Sequence, residues 1–181
     1  MPTPPRYTST AIVLHWLLAL LILAQLSFGV YMVELPFSPG RIKQFNWHKW
    51  AGISILVLSA LRLLWRLRHR PPAALPMPSW QAHSAHASHV AMYVLFFAIP
   101  LAGWAYSSAA GFPVVYFGVL PLPDLVGRDT DLAGQLKLLH RILAYGLAAL
   151  IAVHFAAALK HHLLDKDGLL HRMNPFRSGH A

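Results

Sequence analysis

Residues 11–33 read AIVLHWLLALLILAQLSFGVYMV, a run of 23 residues without a single Lys, Arg, Asp or Glu. At 1.5 Å per residue, a helix of this length covers about 34 Å, which is enough to cross a hydrocarbon core about 30 Å thick. The apolar residues do not alternate with period 2, and a helix satisfies its own backbone polar groups in lipid. The run also exceeds the apolar core of a secretory signal peptide, so we expect a retained membrane helix.

Three further segments have a similar length and apolar character. They are residues 48–67 (HKWAGISILVLSALRLLWRL), 90–110 (VAMYVLFFAIPLAGWAYSSAA) and 142–164 (ILAYGLAALIAVHFAAALKHHLL). The connections between the four segments contain several prolines, and the longest of them, 111–135, is expected to form a small structured cap. The pattern predicts an all-α fold, an integral membrane four-helix bundle that occupies residues 1–181 as one domain.

The composition of the 181 residues supports a membrane protein and narrows its chemistry. Only 12% of the residues are charged and 56% are apolar, whereas a soluble domain has about 25% charged residues. The absence of cysteine excludes disulfides, Cys-ligated zinc, iron–sulfur clusters and covalently attached c-type haem. Because twelve residues are histidine, any metal chemistry must use imidazole ligands.

The formal charge of +9 is unevenly distributed between the two ends of the predicted bundle. One side holds Arg6, Arg62, Arg66, Arg68, Arg70, Lys160, Lys166, Arg172 and Arg177. The other side holds Arg41, Lys43, Lys49, Arg128, Lys137 and Arg141. Because basic residues favour the cytoplasmic side, we expect both termini in the cytoplasm, with Arg62 and Arg66 extending to the inner interface. Topology therefore accounts for most of the charge, and nucleic acid is not an expected partner.

Four histidines lie at two depths of the predicted membrane. His15 is in the inner half of the first segment, and His48 opens the second segment on the outer side. His140 precedes the fourth segment on the outer side, and His154 lies fourteen residues or about 21 Å deeper on the same helical face. Pairing by depth gives His15 with His154 and His48 with His140. Two stacked bis-imidazole sites of this kind predict two b-type haems, which need no cysteine.

Other interpretations of these residues stay open. His86 and His89 lie three residues apart at the inner start of the third segment, where either could replace an inner ligand or occupy an interfacial position. A histidine within the membrane can also form hydrogen bonds to a neighbouring helix or relay protons. Gly52, one turn after His48, either makes room for a flat macrocycle or serves ordinary helix packing. The histidines after residue 160 could bind a metal ion but are expected to be solvated.

Five stretches carry a resemblance to a known family. They are STAIVLHWLLAL, FNWHKWAGISILVLSALRLLWRL, AHASHVAMYVLFFAIPLAGW, LKLLHRILAYG and VHFAAALKHHLLDKDGLLHRMNP. In this order they cover almost the whole chain, which resembles the prokaryotic cytochrome b561 family. The resemblance implies a four-helix protein of the bacterial inner membrane with two b haems. It also implies that the first, second and fourth helices supply the ligands His15, His48, His140 and His154.

The resemblance further implies an oxidoreductase. One characterised kind of member is a superoxide oxidase, which takes electrons from superoxide at the periplasmic face and reduces ubiquinone. Related members are cytochrome b subunits that anchor and conduct electrons for a separate dehydrogenase or hydrogenase. The expected partners are therefore membrane lipid, a quinone, and either superoxide or a redox partner subunit. A haem-free bundle whose histidines relay protons is a third hypothesis.

No catalytic side chain is identified by the sequence, but five cations lie near the outer histidines. They are Arg41, Lys43, Lys49, Lys137 and Arg141. A positive rim raises the local concentration of a small anion such as superoxide, so these residues are candidates for steering it. The alternative is that they neutralise haem propionates or bind lipid headgroups.

Overall fold

Four long helices dominate residues 6–176, the part of the chain that the computed structural model describes. They are α1 (Ser9–Val33), α2 (Pro39–Arg68), α3 (Ser79–Ala109) and α4 (Thr130–Lys160). Each is long and apolar enough to cross a membrane. The all-α four-helix prediction is confirmed. Arg177 and His180, which entered the sequence analysis, lie outside the described residues.

Three helices begin nine to twelve residues before the apolar segments from which they were predicted, and α1 begins two residues before its segment. α2 begins at Pro39, α3 at Ser79 and α4 at Thr130. Local caps explain two of these starts: Ser38 Oγ accepts a hydrogen bond from the Arg41 amide, and Asp129 Oδ1 accepts from the amide of Leu132. Polar first turns therefore extend the helices beyond the hydrophobic spans, which a hydropathy argument does not detect.

The connection from α3 to α4 forms the expected small cap at one end of the bundle. Two short antiparallel strands, β1 (Val115–Tyr116) and β2 (Leu120–Pro121), make a hairpin. The indole Nε1 of Trp50 donates to the carbonyl of Val115 at 2.6 Å, and Lys49 Nζ donates to the carbonyl of Pro113 at 3.3 Å. These bonds hold the hairpin against α2 at what we call the outer end of the bundle.

Both ends of the described chain meet at the opposite, inner end. After α4 the chain makes a π-helical turn (His161–Asp165) and a short 3-10 helix (Leu169–Met173). The indole Nε1 of Trp16 donates to the carbonyl of Met173, and Arg6 Nη2 donates to the carbonyl of Asn174, each at 2.7 Å. The C-terminal segment thus closes over the start of α1.

The buried apolar core lies midway between the two ends. It consists of Leu18, Ile22, Ile55, Met92, Phe96 and Leu147. The outward faces of the helices are also apolar, and Leu20 and Val153 are 64% and 60% exposed. Large apolar side chains on the outside of a helical bundle indicate that lipid, not water, surrounds them.

Candidate functional site

Residues seven apart along each helix build three layers across the bundle. Seven residues are close to two helical turns, so such residues share one face of their helix. The inner layer consists of His15, Arg62, His89 and His154. The middle layer consists of Ile22, Ile55, Phe96 and Leu147, all members of the apolar core. The outer layer consists of Gly29, His48, Gly103 and His140. An apolar layer therefore separates two histidine-rich layers.

The outer layer brings His48 and His140 together, with 6.1 Å between their ring centroids. Nδ1 of His140 donates to the carbonyl of Ile99 at 2.9 Å, so this nitrogen carries the proton and Nε2 keeps its lone pair. A backbone carbonyl bonded in this way to the remote ring nitrogen is a usual orienting partner of a metal-bound imidazole. His48 Nδ1 is buried and has no hydrogen-bond partner within residues 6–176.

Two glycines of the outer layer lie directly against these imidazoles. A Cβ at Gly29 would lie 3.2 Å from His48 Cε1, and a Cβ at Gly103 would lie 2.9 Å from His140 Cε1. Gly52 is different, because a Cβ there would have no atom of the described chain within 4 Å. Gly134 and Gly146 of α4 share this property, so the open space at Gly52 does not by itself locate a macrocycle.

The inner layer brings His15 and His154 together, with 6.4 Å between their ring centroids. Arg62 Nη2 lies 3.0 Å from His15 Nδ1, and its guanidinium lies 5.6 Å from the centre of the Tyr93 ring. Arg62 thus contacts His15 and also lines a cavity at the inner end of the bundle. Because a guanidinium only donates, His15 Nδ1 accepts this hydrogen bond and Nε2 carries the proton, so binding of a metal ion through His15 Nε2 would require Arg62 to leave Nδ1.

His89 also belongs to the inner layer, although its side chain is exposed, as is that of His86. The ring centroid of His89 lies 5.7 Å from that of His154. Two imidazoles on opposite sides of one metal ion, with metal–nitrogen bonds of about 2.0–2.1 Å, place their ring centroids about 6.3 Å apart. The pairs His15–His154 and His48–His140 come closer to this separation than His89–His154 does.

The five outer cations differ in what their side chains contact. Arg41 lies over the Phe45 ring and Lys43 lies over the Trp47 ring, at 5.5 and 5.3 Å from the ring centroids. Lys49 is bonded to the hairpin described above. Lys137 and Arg141, four residues apart on α4, are exposed on either side of His140 in sequence. Arg41 and Lys49 are thus half-buried, whereas Lys43, Lys137 and Arg141 are exposed.

An apolar groove lies beside the outer layer, between α1 and α2. Its volume is about 440 Å³, and it is lined by Leu21, Ala24, Gln25, Phe28, Trp47 and Ala51. The ring centroids of Phe28 and His48 are 6.4 Å apart. Gln25 is the one amide side chain among these lining residues, and its Nε2 donates to the His48 carbonyl at 2.6 Å. The groove falls within the usual size range of small-molecule pockets, about 300–1,000 Å³.

The histidines after α4 follow a different pattern. His161 Nδ1 lies 2.6 Å from Asp167 Oδ2 and 3.2 Å from Asp165 Oδ2, while Lys160 Nζ lies 2.6 Å from Asp165 Oδ2. Burial of Asp167 is outweighed by hydrogen bonds from the Leu169 amide and from His161, which hold the pKa of Asp167 below its usual range. The carboxylates of this cluster are already bonded to side chains of the chain itself, Asp165 to Lys160 and Asp167 to His161.

The sequence from residue 6 to residue 175 matches the family model of prokaryotic cytochrome b561. The chain belongs to the prokaryotic cytochrome b561 family. It is 37% identical over 176 residues to "Cytochrome b561 homolog 2" of Escherichia coli (strain K12), a match that covers 94% of this chain and 92% of the relative. It is 36% identical over 178 residues to "Probable superoxide oxidase CybB" of Yersinia pestis, with 96% and 98% covered. "Cytochrome b561 homolog 1" of Escherichia coli (strain K12) is 31% identical over 176 residues.

Membership of the cytochrome b561 family implies b-type haem and electron transfer within a bacterial membrane. The residues present fit this cofactor on two structural grounds. The ring centroids of the two imidazole pairs have the separation that one metal ion requires, and His140 Nδ1 donates to a backbone carbonyl, which leaves Nε2 free to bind iron. The resemblance noted in the sequence is thus confirmed at the level of family and cofactor class.

Gly29, Gly103 and Arg62 are the site residues that sequence reasoning missed. The seven-residue step from His140 through Leu147 to His154 is visible in the sequence. The same step on the other helices, from His15 to Gly29, from His48 to Arg62 and from His89 to Gly103, would have singled them out.

Proposed function

We propose that this cytochrome b561 protein is a di-haem oxidoreductase that oxidises superoxide and reduces ubiquinone. His48 and His140 would hold the outer haem, and His15 and His154 the inner haem. The observation that carries the proposal is the presence of two imidazole pairs on either side of an apolar layer. Within the outer and inner pairs the ring centroids are 6.1 and 6.4 Å apart. The relative named as a probable superoxide oxidase supports this choice of substrate.

Bound haem supplies one-electron redox chemistry through its iron. In the proposed net reaction, two superoxide ions lose one electron each and leave as two molecules of dioxygen. One ubiquinone gains the two electrons, takes up two protons from solvent and becomes ubiquinol. The reaction needs no further oxidant or reductant.

The chain's own residues would perform three tasks in this reaction. The Ile99 carbonyl would fix the His140 ring by accepting a hydrogen bond from its Nδ1–H group. Lys137 and Arg141, exposed near the outer pair, would attract the superoxide anion electrostatically. The apolar groove beside His48 offers a membrane-soluble ring a place of suitable size near the outer pair.

The proposed orientation places the outer end in the periplasm and both termini in the cytoplasm. The excess of basic residues at the inner end supports it. The protein would therefore oxidise superoxide on the periplasmic side of the bacterial inner membrane.

A second function is supported by the outer hairpin. Phe112, Phe117 and Val119 are 69%, 61% and 83% exposed there. Exposed apolar side chains at the end of a membrane bundle suit contact with a partner subunit. The alternative is accordingly a cytochrome b subunit that conducts electrons for a separate dehydrogenase or hydrogenase.

The decisive experiment adds enzymatically generated superoxide to the purified haem-loaded chain together with a ubiquinone analogue. We expect haem reduction faster than background, followed by ubiquinol formation with one ubiquinol for every two superoxide ions consumed. The double variant Lys137→Gln/Arg141→Gln should lower the rate constant for superoxide about 3- to 10-fold at low salt and weaken its salt dependence. Arg68→Gln, which removes a single charge at the inner end, should not.

Haem reduction no faster than background, in a preparation with full haem content, would contradict the superoxide reaction and favour the conduit subunit. Equal rate constants for the double variant and Arg68→Gln would exclude steering by Lys137 and Arg141 while leaving the reaction itself supported.

A further inference from the structure

A cluster of arginines at the inner end of the bundle surrounds a cavity that the proposed electron transfer does not use. The cavity has a volume of about 70 Å³, several times the roughly 10–15 Å³ that one water molecule requires. Four of its lining residues are arginines: Arg6, Arg62, Arg66 and Arg70. No acidic side chain is among the described residues that line it.

Two of these arginines lie on one face of α2. Arg62 and Arg66 lie four residues apart on α2, and both guanidiniums lie over the Tyr93 ring, at 5.6 and 5.7 Å from its centroid. Arg70 follows the end of α2. Like charges at this spacing repel each other. A bound anion would relieve that repulsion, and a guanidinium fork matches the oxygens of a phosphate group.

Aromatic side chains on one wall of the cavity are held in place by stacking and by a hydrogen bond. The Trp65 indole stacks on the His69 ring, with 3.8 Å between centroids and an angle of 10° between planes. Trp65 Nε1 donates to Thr8 Oγ1 at 2.9 Å, which joins α2 to the start of α1. Tryptophan at a helix end is typical of the membrane–water interface, the depth at which lipid phosphates lie.

The depth of the cavity distinguishes a phospholipid from free phosphate. A phospholipid would bring its phosphate to arginines at the membrane–water interface while its acyl chains stay in the hydrocarbon, whereas free phosphate would use the arginines alone.

From this arrangement we propose that the inner-end cavity binds the phosphate group of an anionic phospholipid. Arg66 and Arg70 would hold the phosphate, with Arg6 and Trp65 closing the site. The proposal does not depend on the superoxide reaction, because none of these four residues contacts a histidine pair.

The test measures thermal unfolding of the haem-loaded protein in detergent with added phosphatidylglycerol, or with phosphatidylcholine of the same chain length. We expect phosphatidylglycerol alone to raise the Tm, by about 5 °C at saturating lipid. Arg66→Gln/Arg70→Gln should lose most of this shift. Arg68→Gln, which removes an exposed arginine of α2 that does not line the cavity, should keep it. Arg66→Lys/Arg70→Lys preserves charge and should keep part of it, which covers the case in which the glutamine variant does not fold.

Three results would overturn the proposal. Equal shifts with the two lipids would show that charge is not recognised, and an equal loss in Arg68→Gln would indicate a diffuse surface effect. The same shift with inorganic phosphate at matched ionic strength would exclude a requirement for lipid. Haem content is measured in parallel: if the glutamine variant loses one haem per chain and keeps the lipid shift, the arginines serve a haem propionate instead.

Discussion

Gly103 of α3 lies against the imidazole of His140 on α4, so closely that a Cβ at residue 103 would come within 2.9 Å of Cε1 and 3.0 Å of Nδ1. Cβ atoms attached to a rigid helix cannot move aside, so an alanine there must displace the histidine ring or separate the two helices. The orientation of one proposed haem ligand therefore depends on the absence of a side chain on the neighbouring helix.

Gly103→Ala should reduce occupancy of the outer haem to less than half, or shift its absorption band, because the His140 ring can no longer keep its bond to Ile99. Gly134→Ala is the matched control on α4, since a Cβ there meets no described atom within 4 Å. That control should retain both haems and gain about 1 kcal/mol of helix stability. Haem content per chain and the reduced spectrum provide the measurement. An unaltered spectrum in Gly103→Ala would contradict the proposed contact.

Gly52→Ala tests where the macrocycle lies. The added methyl group meets no atom of the described protein, so the haem-free fold should be unaffected. Loss of the outer haem in this variant would place the porphyrin over Gly52, while full occupancy would place it elsewhere.

Alanine substitutions of the four histidines should fall into two groups. His48→Ala and His140→Ala should each lose the same haem, and the double variant should lose no more than either single one. His15→Ala and His154→Ala should lose the other haem. The redox titration of each variant should show one component in place of two. Retention of both haems in His15→Ala, together with a loss in His89→Ala, would mean that His89 is the inner ligand.

Arg62→Gln should lower the reduction potential of the inner haem, because it removes a positive charge that lies 3.0 Å from His15 Nδ1. A unit charge within about 10 Å, at an effective dielectric constant of about 20, contributes on the order of 2 kcal/mol, or roughly 80 mV for a one-electron couple. Arg62→Lys should preserve most of the potential, and Arg68→Gln should leave it unchanged. A spectroelectrochemical titration measures all three, and equal potentials in Arg62→Gln and the parent protein would refute the electrostatic coupling.

The orientation of the bundle is testable because the chain has no cysteine. Val119→Cys places a thiol on the outer hairpin, and Phe176→Cys places one at the inner end, at positions that are 83% and 94% exposed. In intact cells a membrane-impermeant maleimide should label the first thiol, whereas the second should react only after lysis. The reverse pattern would put the outer histidine pair on the cytoplasmic side.

The sequence was sufficient to predict the four helices, because lipid leaves an uncharged apolar run of some twenty residues few alternatives. It was also sufficient to pair the histidines by depth, since the fourteen residues from His140 to His154 convert directly into a distance along a helix. Helix starts were less predictable, because the caps at Ser38 and Asp129 act in the polar region that hydropathy ignores.

Contacts between helices could not be predicted in the same way. The seven-residue step shows that Gly29 and His15 share a face of α1, but not which residue of α2 that face meets. The contacts of Gly29 with His48 and of Arg62 with His15 depend on how α1 and α2 are rotated about their axes. No local pattern in a single sequence specifies how two helices are rotated relative to each other.

Because α4 carries one histidine of each pair, its backbone hydrogen bonds fix the distance between the two pairs along the helix axis. Repacking α1 or α2 can tilt a ring, but the rise between residues 140 and 154 stays about 21 Å as long as the helix is intact. Inserting a single residue between them would rotate one imidazole by about 100° and separate it from its partner. A seven-residue insertion would keep both rings on one face and move them about 10 Å further apart. The chain should thus tolerate changes of length in its hairpin and loops far better than in the middle of its last membrane helix.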